Sequence, residues 1–127
     1  MKPPTCSFLI IDDDKDFCQL LESMLDHRKF TTVSVHTLAH ANQALEKIHP
    51  QIVLLDNHLP DGRGIDFIRH IRDFDPAIRI IMITADANSN IAVTSLERGV
   101  NHFIAKPFSF KSIVDRLDFM LQEIAHT

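Results

Sequence analysis

Short apolar runs recur along this chain and give the first indication of its structure. Three of them are almost unbroken, which is typical of β-strands that are buried on both faces of a sheet. Two further segments are shorter or rich in β-branched residues, and they also favour strands. The five predicted strands are SFLII (7–11), TTVSV (31–35), QIVLLD (51–56), IRIIMIT (78–84) and NHFIA (101–105).

Between and after these runs, apolar residues recur every three or four positions, which is the spacing of amphipathic helices. Asp14 is the expected N-cap of the first helix, and Pro50 is expected to end the second. The residues expected on the apolar faces of the five helices are, in chain order, Phe17, Leu20, Leu21, Met24 and Leu25; Leu38, Ala41, Ala44, Leu45 and Ile48; Ile65, Ile68 and Ile71; Ala92, Ser95, Leu96 and Gly99; and Phe110, Ile113, Val114, Leu117, Leu121 and Ile124.

Strands and helices alternate strictly along the chain. Because parallel strands need a long crossover, usually a helix, this alternation predicts a parallel five-stranded sheet. Helices would cover both faces of the sheet in a three-layer α/β/α arrangement. The length of 127 residues fits one domain over 1–127, which can also be the N-terminal part of a longer protein.

Composition narrows the class of protein. The chain is 45% hydrophobic and 24% charged, as expected of a globular domain, and it has no apolar run long enough to span a membrane. The net charge of −4 argues against direct nucleic-acid binding by this domain. Its two cysteines and eight histidines follow no zinc-site spacing. So few cysteines favour a reduced, cytoplasmic protein.

Candidate site residues follow four of the five predicted strands, and the second offers only His36 and Thr37. Asp12 and Asp13 follow the first strand, Asp56 ends the third, Thr84 ends the fourth and Lys106 follows the fifth. Taken alone, an Asp or Thr at such a position could be a helix cap or a turn residue, and Lys106 could be a solvated side chain. However, ligands of open α/β sheets bind at the carboxyl ends of the strands, where all five are expected. Converging carboxylates need a counter-charge, and their hard oxygen atoms suit Mg²⁺.

Four motifs at these strand ends resemble those of the receiver domain of bacterial two-component response regulators. They are LIIDDD, IVLLDNHLPDGRG, IIMITA and HFIAKPF, and they occur in the family's order across essentially the whole chain. The resemblance implies a flavodoxin-like, doubly wound sheet with strand order 2-1-3-4-5, for which a member of this family is itself a standard example.

The resemblance also implies a role for each matching residue. Asp56 is the expected phosphoacceptor. Asp13 is expected to bind Mg²⁺ or Mn²⁺ directly and Asp12 through water, with Asp56 and the backbone carbonyl of His58 as further expected ligands. Thr84 and Lys106 would contact phosphoryl oxygens, and Phe103 would be the switch aromatic. A cis peptide bond is expected before Pro107. Gly62 and Gly64 would allow the tight loop after the third strand.

The implied partners are a histidine kinase or a histidine phosphotransfer protein, and an effector domain beyond the chain, most commonly a DNA-binding one. Phosphorylation would change the surface of the fourth helix, fifth strand and fifth helix, and could drive homodimer formation. Asn101 and His102 stand where the family often has acidic residues, which argues against dimerisation through charged pairs there.

Two other functions remain open from the residues. A receiver fold can act as an interaction module without phosphorylation. Loss of an acid, Thr84 or Lys106 would favour that hypothesis, but all of them are present. A Mg²⁺-dependent phosphohydrolase with an Asp nucleophile would be an enzyme acting on other molecules. Such enzymes usually need extra segments to close over a substrate, and the regular alternation of this chain leaves no room for them.

Overall fold

The computed structural model describes residues 7–27, 30–85, 88–106 and 109–125. Its elements, in chain order, are β1 (Ser7–Ile11), α1 (Lys15–His27), β2 (Thr31–Val35), α2 (Leu38–Ile48), β3 (Ile52–Leu55), β4 (His58–Leu59), β5 (Gly62–Arg63), α3 (Gly64–Phe74), β6 (Arg79–Thr84), α4 (Ser89–Glu97), β7 (His102–Ala105) and α5 (Phe110–Ala125).

The five longer strands form one parallel sheet in the order β2-β1-β3-β6-β7. Counting only these strands, the order is 2-1-3-4-5, and the predicted flavodoxin-like α/β fold is confirmed. None of the described helices combines the length and the hydropathy needed to cross a membrane.

Alternation along the strands divides the core into two layers. In β1, Leu9 and Ile11 face one side of the sheet, whereas Phe8 and Ile10 face the other. Helices α2, α3 and α4 pack on the first side, and α1 and α5 pack on the second. Both faces of the central strands are therefore buried, which explains why their sequences are continuously apolar.

The helical spacing assigned two leucines wrongly to the core. Leu20 in α1 and Leu96 in α4 are 53% and 50% exposed. Each lies beside a residue that does face the core, and the apolar stripe is narrower than the sequence pattern suggested. Gly99, also assigned to the fourth helix, lies beyond its end with a φ of +110°.

A short antiparallel ladder, β4 with β5, was not predicted, because two-residue strands leave no alternation in the sequence. It pairs His58 with Arg63 and Leu59 with Gly62. Gly62 has a φ of +156°, and a Cβ there would lie 2.8 Å from Leu38 Cδ1. A glycine therefore allows this ladder to approach the start of α2.

The loop between β4 and β5 is bound to α2 through Asp61. Its carboxylate accepts the N–H groups of Leu38 and Ala39 at 2.8 and 3.0 Å. Thr37, the N-cap, accepts the N–H of His40. Since α2 has no acidic residue in its own first turn, Asp61 supplies the negative charge that the positive end of the helix favours.

Asp61 is expected to make stability depend on pH. Its pKa lies below the ordinary value of 3.8, chiefly because it accepts the N–H of Leu38 and then that of Ala39. A lowered carboxylate pKa stabilises the fold above the pKa of the unfolded chain, and that contribution is lost as pH falls through the folded pKa. Asp61→Asn should therefore lower the urea midpoint near pH 7, with a difference from wild type that shrinks below about pH 4.

The matched control for this measurement is Asp73→Asn, which removes an exposed carboxylate that lies 3.9 Å from Arg69. It should change the midpoint little. Equal midpoints of wild type and Asp61→Asn near neutral pH would contradict the stabilising role of Asp61.

Gly64 is expected to tolerate no side chain. A Cβ at this position would lie 2.0 Å from the backbone oxygen of Asp56 and 3.1 Å from Leu55 Cγ. Gly64→Ala should therefore cost about 1–3 kcal/mol or more in the free energy of unfolding, measured by urea denaturation followed by circular dichroism. Ser23→Ala, on an exposed face of α1, should stay within about 0.5 kcal/mol of wild type. A Gly64→Ala protein as stable as that control would show that the main chain can move away at no cost.

Candidate functional site

The register between β1 and β3 brings two acidic residues to the same edge of the sheet. Ile11 pairs with Leu55, so the next residues, Asp12 and Asp56, end neighbouring strands. The N–H of Asp56 donates to the carbonyl of Ile11 at 2.9 Å. Asp13 joins them, and each of the three residues offers a carboxylate oxygen within 4.8 Å of the others. We call Asp12, Asp13 and Asp56 the acidic cluster.

Asp12 is the most deeply buried member of the acidic cluster, at 2% exposure. One carboxylate oxygen accepts the N–H of Asp14 at 2.9 Å, and the other accepts Lys106 Nζ at 3.0 Å. Burial raises the pKa of Asp12, and the charge of Asp56 adds to the rise; the bonds from Asp14 and Lys106 oppose it. The cluster therefore carries an unfavourable negative charge that a cation would relieve.

The main chain of Asp12 is held from two other elements. Its N–H donates to the carbonyl of Val35, at the end of β2, at 3.1 Å. Its carbonyl lies 2.9 Å from Nδ1 of His36 and accepts the Cys18 thiol at 3.4 Å. Burial raises the pKa of Cys18 to about 11, so the thiol stays protonated and can donate. These contacts could not be predicted from the sequence, because they join three separate elements.

Asp56 is 7% exposed, with its carboxylate toward the same edge. One oxygen accepts the N–H of Asn57 at 2.8 Å, and the other lies 3.9 Å from Lys106 Nζ. The ammonium group of Lys106 thus lies between Asp12 and Asp56, closer to Asp12. Asp13, by contrast, has an exposed side chain, so the acidic cluster opens to solvent on that side.

Thr84 and Lys106 reach the same edge through the pairing of β6 with β7. Thr84 pairs with Ala105, and the N–H of Lys106 donates to the carbonyl of Thr84 at 2.9 Å. Thr84 is fully buried, whereas the Lys106 side chain is 21% exposed. The structure therefore brings the predicted hydroxyl and the predicted cation to the carboxyl edge that bears the acidic cluster.

Asn57 is a site residue to which the sequence analysis gave no role. It is fully buried, its Oδ1 accepts the N–H of Ile65 at 3.0 Å, and its carbonyl accepts the N–H of Gly64 at 2.8 Å. These bonds close the base of the β4–β5 loop and join the residue after Asp56 to the first turn of α3. The sequence signal that could have indicated this role is an Asn directly after a strand, because Asn favours turns.

Three other residues predicted to belong to the site are His58, Phe103 and Pro107. His58 opens β4 with an exposed side chain, two residues after Asp56. Phe103 is half-buried on β7 and packs against the core on the side of α2, α3 and α4. Pro107, with its expected cis peptide bond, lies outside the described residues.

Asp14 behaves as the sequence predicted, as a helix cap. Its Oδ1 accepts the N–H of Phe17 at 3.1 Å, and its side chain is exposed. It does not belong to the acidic cluster, in which each residue contributes an oxygen. The three consecutive aspartates therefore divide into two metal-ligand candidates and one cap.

The acidic cluster fits a divalent cation. Three carboxylates supply hard oxygen atoms within 4.8 Å of one another, with one open side for water or a ligand oxygen. Lys106 offsets only part of their charge, since it contacts Asp12 closely and Asp56 at a longer distance.

Comparison with known proteins identifies the family of the chain. Residues 8–118 match the family model described as the response regulator receiver domain. The chain is 35% identical over 109 residues to the DNA-binding response regulator MtrA of Mycolicibacterium paratuberculosis, an alignment that covers 86% of this chain and 48% of MtrA. The chain thus spans about half the length of that relative.

Solved structures share the fold. A CheY-like receiver domain protein from Methanospirillum hungatei superposes with a TM-score of 0.89 at 23% identity, covering 94% of this chain and 96% of that one. A response regulator from Burkholderia pseudomallei, solved with a phosphorylated aspartic acid, calcium and citrate, gives a TM-score of 0.81 at 24% identity, covering 96% and 75%. The match of the family model over most of the chain places this protein in the response regulator receiver domain family.

Proposed function

We propose that this domain accepts a phosphoryl group on Asp56 from the phosphohistidine of a histidine kinase or a histidine phosphotransfer protein. The observation that carries the proposal is the placement of the Asp56 carboxylate, which belongs to the acidic cluster and has Lys106 Nζ 3.9 Å away. A carboxylate among cation ligands, next to an ammonium group, suits phosphoryl transfer, because charge must be neutralised on the transferring oxygens.

The proposed cofactor is Mg²⁺, for which Mn²⁺ can substitute. Asp12, Asp13 and Asp56 would hold it, with the backbone carbonyl of His58 as a further ligand. When bound, the cation would neutralise negative charge on the transferring phosphoryl group. The calcium ion in the Burkholderia pseudomallei structure supports a divalent cation in this fold.

In the proposed reaction, a carboxylate oxygen of Asp56 attacks the phosphorus of phosphohistidine. A P–O bond forms, the P–N bond breaks, and the electron pair stays on the histidine nitrogen. Lys106 and Thr84 would each contact an oxygen of the phosphoryl group. Hydrolysis of the resulting acyl phosphate by water would release inorganic phosphate and restore the Asp56 carboxylate. Apart from these reactions on itself, the domain is proposed to have no enzymatic activity.

Phosphorylation is proposed to act through Thr84 and Phe103. The added charge and acceptor oxygens would draw the Thr84 hydroxyl toward Asp56, and Phe103 would turn inward. The equilibrium between two conformations of the surface formed by α4, β7 and α5 would then shift. The position of Phe103 on β7 supports this role, because its ring is half-buried at the edge of the core.

The output is proposed to lie outside residues 1–127, which we take as one receiver domain. MtrA is described as a DNA-binding response regulator, and this chain spans 48% of its length. We therefore propose a DNA-binding effector domain, in a cytoplasmic protein whose receiver domain does not itself touch nucleic acid.

Phosphorylation-dependent pairing of two receivers is a further proposed response. Asn101, which stands where the family often has an acid, is held internally, because its Oδ1 accepts the N–H of Ile80 and Arg72 Nη2 at 2.9 and 3.0 Å. Charged pairs at that position are therefore not expected to form such a dimer.

Acetyl phosphate with Mg²⁺ provides a direct test, because it donates a phosphoryl group without a kinase. Intact-protein mass spectrometry should detect the addition of one phosphoryl group. Asp56→Asn should abolish the addition, because an amide oxygen is a poor nucleophile.

The matched control is Asp14→Asn, an exposed neighbour at which Asn can still cap α1. It should be phosphorylated like wild type. Wild-type protein that gains no mass under any condition would favour a phosphorylation-independent interaction module. Rapid turnover of varied phosphate esters would favour a phosphohydrolase.

Asp12 provides a second test, of the cation site alone. Without metal, burial and then the charge of Asp56 are expected to keep the pKa of Asp12 above its ordinary value of 3.8. Added Mg²⁺ should lower this pKa, because the cation favours the charged carboxylate. Carboxyl ¹³C NMR over a pH series, with and without Mg²⁺, measures both values. Titration curves of Asp12 that do not move with Mg²⁺ would count against a cation site there.

A further inference from the structure

The ammonium group of Lys106 has a third neighbour that the proposed function does not use. Besides Asp12 at 3.0 Å and Asp56 at 3.9 Å, Nζ lies 4.7 Å from the centroid of the Phe17 ring. This is within the distance at which the negative face of an aromatic ring attracts a cation. Two carboxylates and one ring therefore surround Lys106, whose side chain is 21% exposed.

The position of Phe17 is fixed by α1, independently of Lys106. Its backbone N–H, in the first helical turn, donates to the carboxylate of Asp14 at 3.1 Å. Its ring is half-buried and packs against the core cluster on the side of α1 and α5, which includes Cys18 and Leu21. The ring is therefore a fixed surface against which a mobile side chain can rest.

Contact with such a surface reduces the conformational freedom of a lysine side chain. Its side chain has four rotatable bonds and a compact charge without the fixed geometry of a guanidinium group, so its placement costs conformational entropy. Asp12 alone would allow the ammonium to rotate outward, because this part of the edge opens to solvent beside Asp13. The ring, three residues after Asp14 on α1, lies 4.7 Å from Nζ and so limits the directions in which the ammonium can turn.

We propose that Phe17 is a positioning residue that holds the Lys106 ammonium at the acidic cluster, ready to contact the incoming phosphoryl group. This inference rests on the proposed function for the role of Lys106 in the reaction. It also assigns a second role to Asp14, because the cap that starts α1 fixes the ring. Phe17 itself touches neither Asp56 nor the phosphoryl group in this proposal.

The experiment compares three variants with wild type. Phe17→Leu keeps apolar packing and removes the ring. Phe17→Tyr keeps the ring and serves as the conservative rescue. Phe30→Leu is the matched control, because Phe30 is also half-buried and packs against the same core cluster, where it contacts Phe8.

The first measurement needs neither metal nor phosphorylation. Protons of the Lys106 ε-CH₂ group should show an upfield ring-current shift by NMR, assigned through its loss in Lys106→Gln. The shift should persist in Phe17→Tyr and Phe30→Leu and disappear in Phe17→Leu. Absence of the shift in wild type would overturn the proposal, whether or not the domain is phosphorylated.

The second measurement is the rate of phosphorylation by acetyl phosphate with Mg²⁺. Phe17→Leu should slow it by about three- to tenfold, and Phe17→Tyr should restore it. A rate in Phe17→Leu within roughly twofold of wild type would overturn the proposal, as would an equal loss in Phe30→Leu, which would indicate a general packing effect. If wild type accepts no phosphoryl group, the proposed function fails, while the NMR shift still decides whether Phe17 holds Lys106.

Discussion

The register of the parallel sheet determines where the charged groups of the site lie. Pairing of Ile11 with Leu55 places Asp12 and Asp56 side by side, and pairing of Thr84 with Ala105 brings Lys106 to the same edge. A slip of one residue in either pair would turn these side chains to the opposite face. The buried apolar faces of β1, β3 and β6 prevent such a slip, so the packing of the core fixes the geometry of the charged groups.

That arrangement has an electrostatic cost, and the structure offsets only part of it. Burial of Asp12 beside Asp56 opposes ionisation, as the raised pKa of Asp12 reflects. The N–H of Asp14 and the ammonium of Lys106 each stabilise the charged form. The charge that remains is what makes the acidic cluster receptive to a cation, and a fully neutralised cluster would gain less from binding one.

The loop after Asp56 is held at both its base and its tip. Asn57 closes the base through Gly64 and Ile65, while Asp61 binds the tip to the start of α2. Close approach explains the glycine at position 64, since any Cβ would collide with the carbonyl of Asp56. The main chain around Asp56 is thus fixed by hydrogen bonds and steric fit.

The alternation of strands and helices, and with it the fold, could be predicted from the pattern of apolar residues. Unbroken apolar runs that alternate with amphipathic helices favour a parallel sheet covered by helices on both faces, and the polar residues that end its strands then share one edge. Asp14 was also readable as a cap, because that role depends on residues three positions apart. Four features depend on packing between elements and were not predicted. Leu20 and Leu96 are exposed, and His36 and Cys18 contact the main chain of Asp12. Asp61 caps a distant helix, and the ring of Phe17 lies beside Lys106 Nζ. These contacts join residues far apart in the chain, and local spacing carries no information about which side chains meet across elements.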